Sequence, residues 1–139
     1  MNKIGIDSNI IIKLMEAKDQ IEERYIFTKE DAFFMHSLCL WEIHDWLAKK
    51  GMSAKDAELE TEDFIKKHKI TLINKDHSKE EIAEFEAKCH AKGIDCHHPD
   101  STIILAFNAE GIEAVYSEDK AFRDACRLLD VKALRFPMP

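Results

Sequence analysis

Short apolar runs alternate with helix-forming stretches along this chain, and no other feature restricts its folding so strongly. KIGI (3–6), AFFMHS (32–37), ITLI (70–73) and IEAVY (112–116) read as strands, and each is followed by a segment with helical signals. Strands separated by helices pair in parallel, because a parallel pair needs a long crossover. The pattern therefore predicts a layered α/β fold around a mainly parallel sheet. No repeat, low-complexity stretch or Pro/Gly/Ser linker interrupts it, so residues 1–139 are expected to form a single domain.

The helices carry their own punctuation. One starts around Ser8 to Ile10 and turns Ile10, Ile11, Leu14 and Met15 inward, followed by a charged, weakly periodic segment to about Lys29. LCLWEIHDWLAKK (38–50) reads as a helix stopped by Gly51, a residue suited to a left-handed position after the last turn. Ser53 with Asp56 resembles a cap for a helix to about His68, and SKEE (78–81) is a capping-box signature for a helix ending at Gly93. STIILAFNAEG (101–111) and 119–129 complete the set, and VKALRF is expected to add an edge strand before Pro137.

Asp7 poses the first functional question, because a carboxylate beside a buried isoleucine run is costly without a partner, a metal or a strand end. In an open parallel sheet, ligands bind outside the carboxyl ends of the strands. That rule selects Asp7, just after the first strand, and Ser117 with Asp119, just after IEAVY. At about 100° per residue, Leu40, Ile43, Trp46 and Leu47 form the apolar stripe of 38–50. Glu42 lies on its border and Asp45 points away. Ile103, Ile104 and Phe107 follow Asp100 at i+3, i+4 and i+7, so that buried stripe begins with a carboxylate. Asp7 and Asp100 each have a plainer explanation as a helix cap or first-turn residue, and for Asp119 a cap is the default. Several carboxylates at one place repel each other unless a cation neutralises them, and an all-oxygen set suits Mg²⁺ or Mn²⁺.

IGIDSNIII, then HSLCLWEIHDWL, then HPDSTIILAFNAEGIEAVYSEDKAF together resemble a PIN domain, in particular the small single-domain kind similar to VapC toxin ribonucleases. The resemblance covers nearly the whole chain, and its most specific part runs from Asp100 through Gly111 to Ser117-x-Asp119 and Phe122. It implies a three-layer α/β/α sandwich. It also implies that Asp7, Glu42, Asp100 and Asp119 form an acidic catalytic site, with Asp7, Asp100 and Asp119 as metal ligands and Asn9 and Ser117 orienting the acids or bound waters. By the same resemblance the activity is a Mg²⁺- or Mn²⁺-dependent RNA endonuclease, often a homodimer and often held inactive by an antitoxin encoded beside it. Single-stranded or structured RNA is the expected substrate, since such a backbone bends into a concave site.

Other signals weigh less. The net charge of −7 argues against coating nucleic acid by bulk electrostatics, although Lys120, Arg123 and Arg127 could form a local phosphate track. Lys66, Lys67 and Lys69 read as a solvated helix face, as does the acidic run Glu80, Glu81, Glu84 and Glu86. Cys89, His90, Cys96, His97 and His98 match no standard zinc spacing, and Cys89 continues the Ile82–Phe85 core stripe. Trp41 falls away from the apolar stripe, which suggests a packing, dimer or antitoxin surface. No apolar run approaches the ~20 residues of a membrane span, so a cytoplasmic protein with reduced thiols is expected. Two rival functions remain: a non-catalytic PIN-type RNA- or protein-binding module, and a receiver-like phosphoacceptor domain. The latter needs adjacent acids after the first strand, where this chain has Asp7 followed by Ser8.

Overall fold

Five parallel strands form the centre of the protein, seen in a computed structural model that describes residues 2–17, 26–27 and 30–135. The charged segment expected before Lys29 falls largely outside the described residues, as does Pro137. The strands are β1 (Lys3–Ile6), β2 (Ala32–His36), β3 (Thr71–Ile73), β4 (Ala114–Tyr116) and β5 (Lys132–Leu134), in the order β3-β2-β1-β4-β5. β1 lies in the middle, paired with β2 (Ile4 opposite Phe33) and with β4 (Ile6 opposite Tyr116). Being covered on both faces, it buries Ile4, Gly5 and Ile6 in succession, which is why its sequence lacks alternation.

Six helices are described: α1 (Ser8–Ala17), α2 (Cys39–Lys49), α3 (Ala54–Lys67), α4 (Lys79–Ala91), α5 (Asp100–Ala109) and α6 (Lys120–Leu128). α1, α2 and α3 pack in series, as do α4, α5 and α6, giving a PIN-like α/β/α sandwich. Ser53 Oγ accepts the Asp56 N–H at 3.1 Å, and Ser78 with Glu81 closes the full capping box that SKEE predicts. Gly51 has φ +95°, a conformation a side chain would strain. Strand and helix limits fall within two residues of those expected; the strand expected at 112–116, for example, begins at Ala114. On α2 the buried positions are Cys39, Ile43 and Leu47, while Leu40 and Trp46 are only half-buried.

The core runs through both helix layers, with Ile6, Ile10, Ile11, Leu14, Met35, Ile43, Ile103, Ile104, Phe107 and Phe122 almost fully enclosed. α5 approaches the sheet so closely that a Cβ at Gly5 would lie 3.1 Å from the Phe107 ring. The approach brings the N-terminal end of α5 toward the carboxyl edge of β1 and β4. His36, buried at the end of β2, accepts the Leu38 N–H at Nδ1, 3.0 Å, so its other ring nitrogen carries the proton and donates to the Lys75 carbonyl.

Candidate functional site

Asp7 stands where β1 ends, and the backbone carries the sheet one step further there, with Asp7 N–H donating to the Tyr116 carbonyl at 3.0 Å. Its carboxylate is buried and receives three hydrogen bonds. Ser8 N–H donates to Oδ1 at 2.8 Å, and both Ser117 Oγ (2.8 Å) and Asn9 Nδ2 (3.1 Å) donate to Oδ2. Asn9 Oδ1 in turn accepts the Glu118 N–H at 3.1 Å, and Ser117 Oγ accepts the Asp119 N–H at 3.1 Å. The turn after β1 is thus stitched to the turn after β4 through side chains of both.

Glu42 joins from α2, where its Oε2 accepts the Ser8 hydroxyl at 2.6 Å. Asp119 acts as the N-cap of α6, taking the Ala121 and Phe122 N–H groups on Oδ1 at 2.9 and 3.4 Å, as its default explanation predicts. Asp100 differs from all of these. It opens α5 behind Pro99, is half-buried, and makes no side-chain hydrogen bond or ion pair among the described residues.

Electrostatics shows that the acids share one neighbourhood. Burial pushes the Asp7 carboxyl up to about 7; the Ser117 hydrogen bond opposes that rise, and the charges of Asp100 and Glu42 add to it. Asp100 is pushed up to about 6, first by burial and then by the charges of Asp119 and Glu42. Cys39 lies against the same cluster, its thiol driven far up by burial and then by Asp7 and Glu42. The structure therefore brings Asp7, Asn9, Glu42, Asp100, Ser117 and Asp119 together from four segments of the chain. Even so, no three His, Cys, Asp or Glu side chains among the described residues form a group that could hold a metal ion by themselves.

Two expectations about the surroundings need correction. The phosphate track of Lys120, Arg123 and Arg127 does not exist as a free basic surface. Arg123 is buried and donates from Nη1 to the Ser117 carbonyl at 2.9 Å, while Lys120 and Arg127 both pair with Asp124. Arg123 is thus a prop beneath the site, a role no local sequence signal separates from that of a surface arginine. Glu86, expected on a solvated face, is half-buried instead. Its Oε2 accepts the His98 N–H at 3.2 Å and the Ser101 hydroxyl at 3.0 Å. The Cys/His-rich loop is largely structural: Cys89 and Cys96 are buried close to each other, and His98 pairs with Thr102 at 2.8 Å. Trp41 is 76% exposed, as its place off the stripe predicts.

No family model matches this chain, and no curated protein matches it. Solved structures match along nearly its full length. VapBC2 from Rickettsia felis, bound to a promoter DNA fragment, is similar with a TM-score of 0.71 and 14% identity, covering 97% of this chain and 99% of that one. DNA-bound VapBC from Salmonella typhimurium gives 0.70 and 19%, covering 99% and 100%. VapBC-1 from nontypeable Haemophilus influenzae gives 0.67 and 14%, covering 96% and 98%. The matched chains are of the VapC, PIN-domain kind. This protein has their fold, an α/β/α sandwich around a parallel sheet, as the resemblance implies.

Proposed function

We propose that this chain is a metal-dependent ribonuclease, an endonuclease on single-stranded or structured RNA, and the toxin of a toxin–antitoxin pair. The observation that carries the reading is the contrast inside the acidic cluster: Asp7 is held rigidly by three donors, whereas the half-buried Asp100 has no protein partner among the described residues. A carboxylate in that condition suits an exogenous cation. The donors are all oxygens, and the open arrangement suits a hard ion that keeps several waters and takes one or two carboxylates directly, as Mg²⁺ does and as we propose Mn²⁺ does here.

When bound, such an ion lowers the pKa of a coordinated water and neutralises charge on the phosphodiester and its leaving oxygen. The chain's own groups do the remaining work. Asp100 and Asp7 would hold the ion directly, and Asp119, with Oδ1 committed to its helix, would hold it directly or through a water. Glu42, fixed by the Ser8 hydroxyl, orients or deprotonates the attacking water. Asn9 and Ser117 keep the Asp7 carboxylate from rotating. An antitoxin partner is supported by the VapBC complexes to which the fold is similar. A homodimer belongs to the same proposal.

The test is cleavage of RNA by the purified protein, freed of any bound antitoxin, with Mn²⁺ or Mg²⁺. Asp100→Asn is expected to lower the rate by at least about 100-fold, beyond the 10–100-fold typical of groups that only orient a metal ligand. Its circular dichroism is expected to match wild type. Absence of cleavage by wild type with either metal would replace this reading with the non-catalytic binding module.

A further inference from the structure

Glu86 has no part in the mechanism above, yet it is the group that anchors the start of α5. It reaches across from α4, and one oxygen, Oε2, takes both the His98 N–H (3.2 Å) and the Ser101 hydroxyl (3.0 Å). These two donors bracket Asp100 in sequence. The first N–H groups of a helix need an acceptor, and Pro99, at the N-cap, offers no side-chain one. In many helices the first-turn acid itself meets that need. Here the Ser101 N–H is taken by the His97 carbonyl at 3.0 Å, Glu86 holds the His98 N–H and the Ser101 hydroxyl from a neighbouring helix, and Asp100 makes no side-chain hydrogen bond among the described residues. Ser101 is fully buried, so its hydroxyl has no water to turn to if Glu86 is removed. The same two elements also meet where Cys89 on α4 and Cys96 in the loop are buried close to each other.

We propose that Glu86 is a positioning residue: it pins the chain on both sides of Asp100, at the His98 N–H and the Ser101 hydroxyl, so that the Asp100 carboxylate stays in place and free for the metal. The proposal rests on the metal-site reading of Asp100. Glu86 touches neither substrate nor ion. It acts by fixing the 98–101 segment on either side of Asp100.

The test compares wild type, Glu86→Ala, Glu86→Gln and Ser101→Ala in Mn²⁺ binding by calorimetry and in amide hydrogen exchange at residues 98–103 without metal. Glu86→Ala is expected to weaken Mn²⁺ binding about 10-fold, the low end for groups that orient a ligand, and to speed exchange at those amides. Glu86→Gln keeps an oxygen that can accept both bonds, and should restore binding to within about 3-fold of wild type while slowing exchange again. Should Glu86→Ala fail to fold, Ser101→Ala removes only one of the two bonds and should still weaken Mn²⁺ binding measurably. Wild-type affinity in Glu86→Ala, or in Ser101→Ala if Glu86→Ala does not fold, overturns the role of Glu86 and leaves the ribonuclease reading standing. If wild type itself binds no Mn²⁺, the metal reading fails and this inference fails with it.

Discussion

Asp7 and Asp100 carry the same functional group within one acidic cluster, and the protein treats them in opposite ways. Asp7 is buried and held by donors from Ser8, Asn9 and Ser117, while Asp100 is half-buried and bonded through its side chain to nothing described. At Asp7 the carboxylate is part of the architecture that joins the ends of β1 and β4. Around Asp100 it is Glu86 that holds the His98 N–H and the Ser101 hydroxyl, and the Asp100 carboxylate is left over. A site built this way has one rigid acid that fixes position and one available acid that answers to a ligand. The comparison can be broken by showing that both behave alike.

The largest expected effect concerns pH. In metal-free protein Asp7 titrates at about 7 and Asp100 at about 6, both above the ~3.9 of an unfolded aspartate. Between about pH 4 and pH 7 the folded chain then holds more protons than the unfolded chain, so stability is highest near pH 4 and falls as pH rises through that window. The loss from the buried Asp7 alone is on the order of a few kcal/mol, since a tenfold change in an acid dissociation constant corresponds to about 1.4 kcal/mol. Urea denaturation in EDTA should show this slope, Asp7→Asn should flatten most of it, and added Mn²⁺ should oppose it in wild type. A stability that rises from pH 4 to pH 7 and is indifferent to Asp7→Asn would mean that the cluster is not strained.

Ser117→Ala comes next. The hydroxyl donates to a buried carboxylate and accepts from Asp119 N–H, and a buried hydrogen bond to a charged group contributes about 1.5–3 kcal/mol. Its hydrogen bond is also the strongest influence holding the Asp7 pKa down, so the variant should titrate Asp7 above 7, readable from the carboxyl carbon by NMR. Ser101→Ala, on the other side of the comparison, removes a neutral hydroxyl's bond to Glu86, and thermal unfolding should register about 1 kcal/mol. A larger loss at Ser101 than at Ser117 would reverse the assignment of rigid and available ends.

What the sequence discloses follows the range of the interactions involved. Capping at Ser53 and Ser78 depends on groups three residues apart and is readable, as is the end of β1 at Asp7, where the apolar run meets a charge. The gathering of Asp7, Ser117 and Asp119 can be expected because a parallel sheet places the ends of neighbouring strands at one edge. Glu86 and Arg123 escape such a reading because their partners depend on how helices pack, 12 and 15 residues away for Glu86 and across the β4–α6 turn for Arg123. Nothing local distinguishes a glutamate on a wet helix face from one that reaches over to a neighbouring helix. The Ser8 to Glu42 bond spans 34 residues and is equally invisible, although the position of Glu42 beside the apolar stripe hints that it faces the body of the protein.

The smallest expected effect is the sharpest test of the contrast. Asp100→Asn removes a negative charge from the first turn of α5, where the helix dipole favours one by about 0.3–1 kcal/mol. It also relieves the repulsion from Asp119 and Glu42 and the cost of partial burial, influences that together push the Asp100 pKa up and so outweigh the dipole. With no hydrogen bond to lose, the variant at pH 7 without metal should be as stable as wild type or slightly more stable, within about 0.5 kcal/mol. The gain should vanish near pH 4, where wild-type Asp100 is already protonated, and Mn²⁺ should no longer raise the melting temperature. A loss of more than about 1 kcal/mol at pH 7 would show that Asp100 holds the structure together as Asp7 does, and the division between a fixed and an available acid would have to be abandoned.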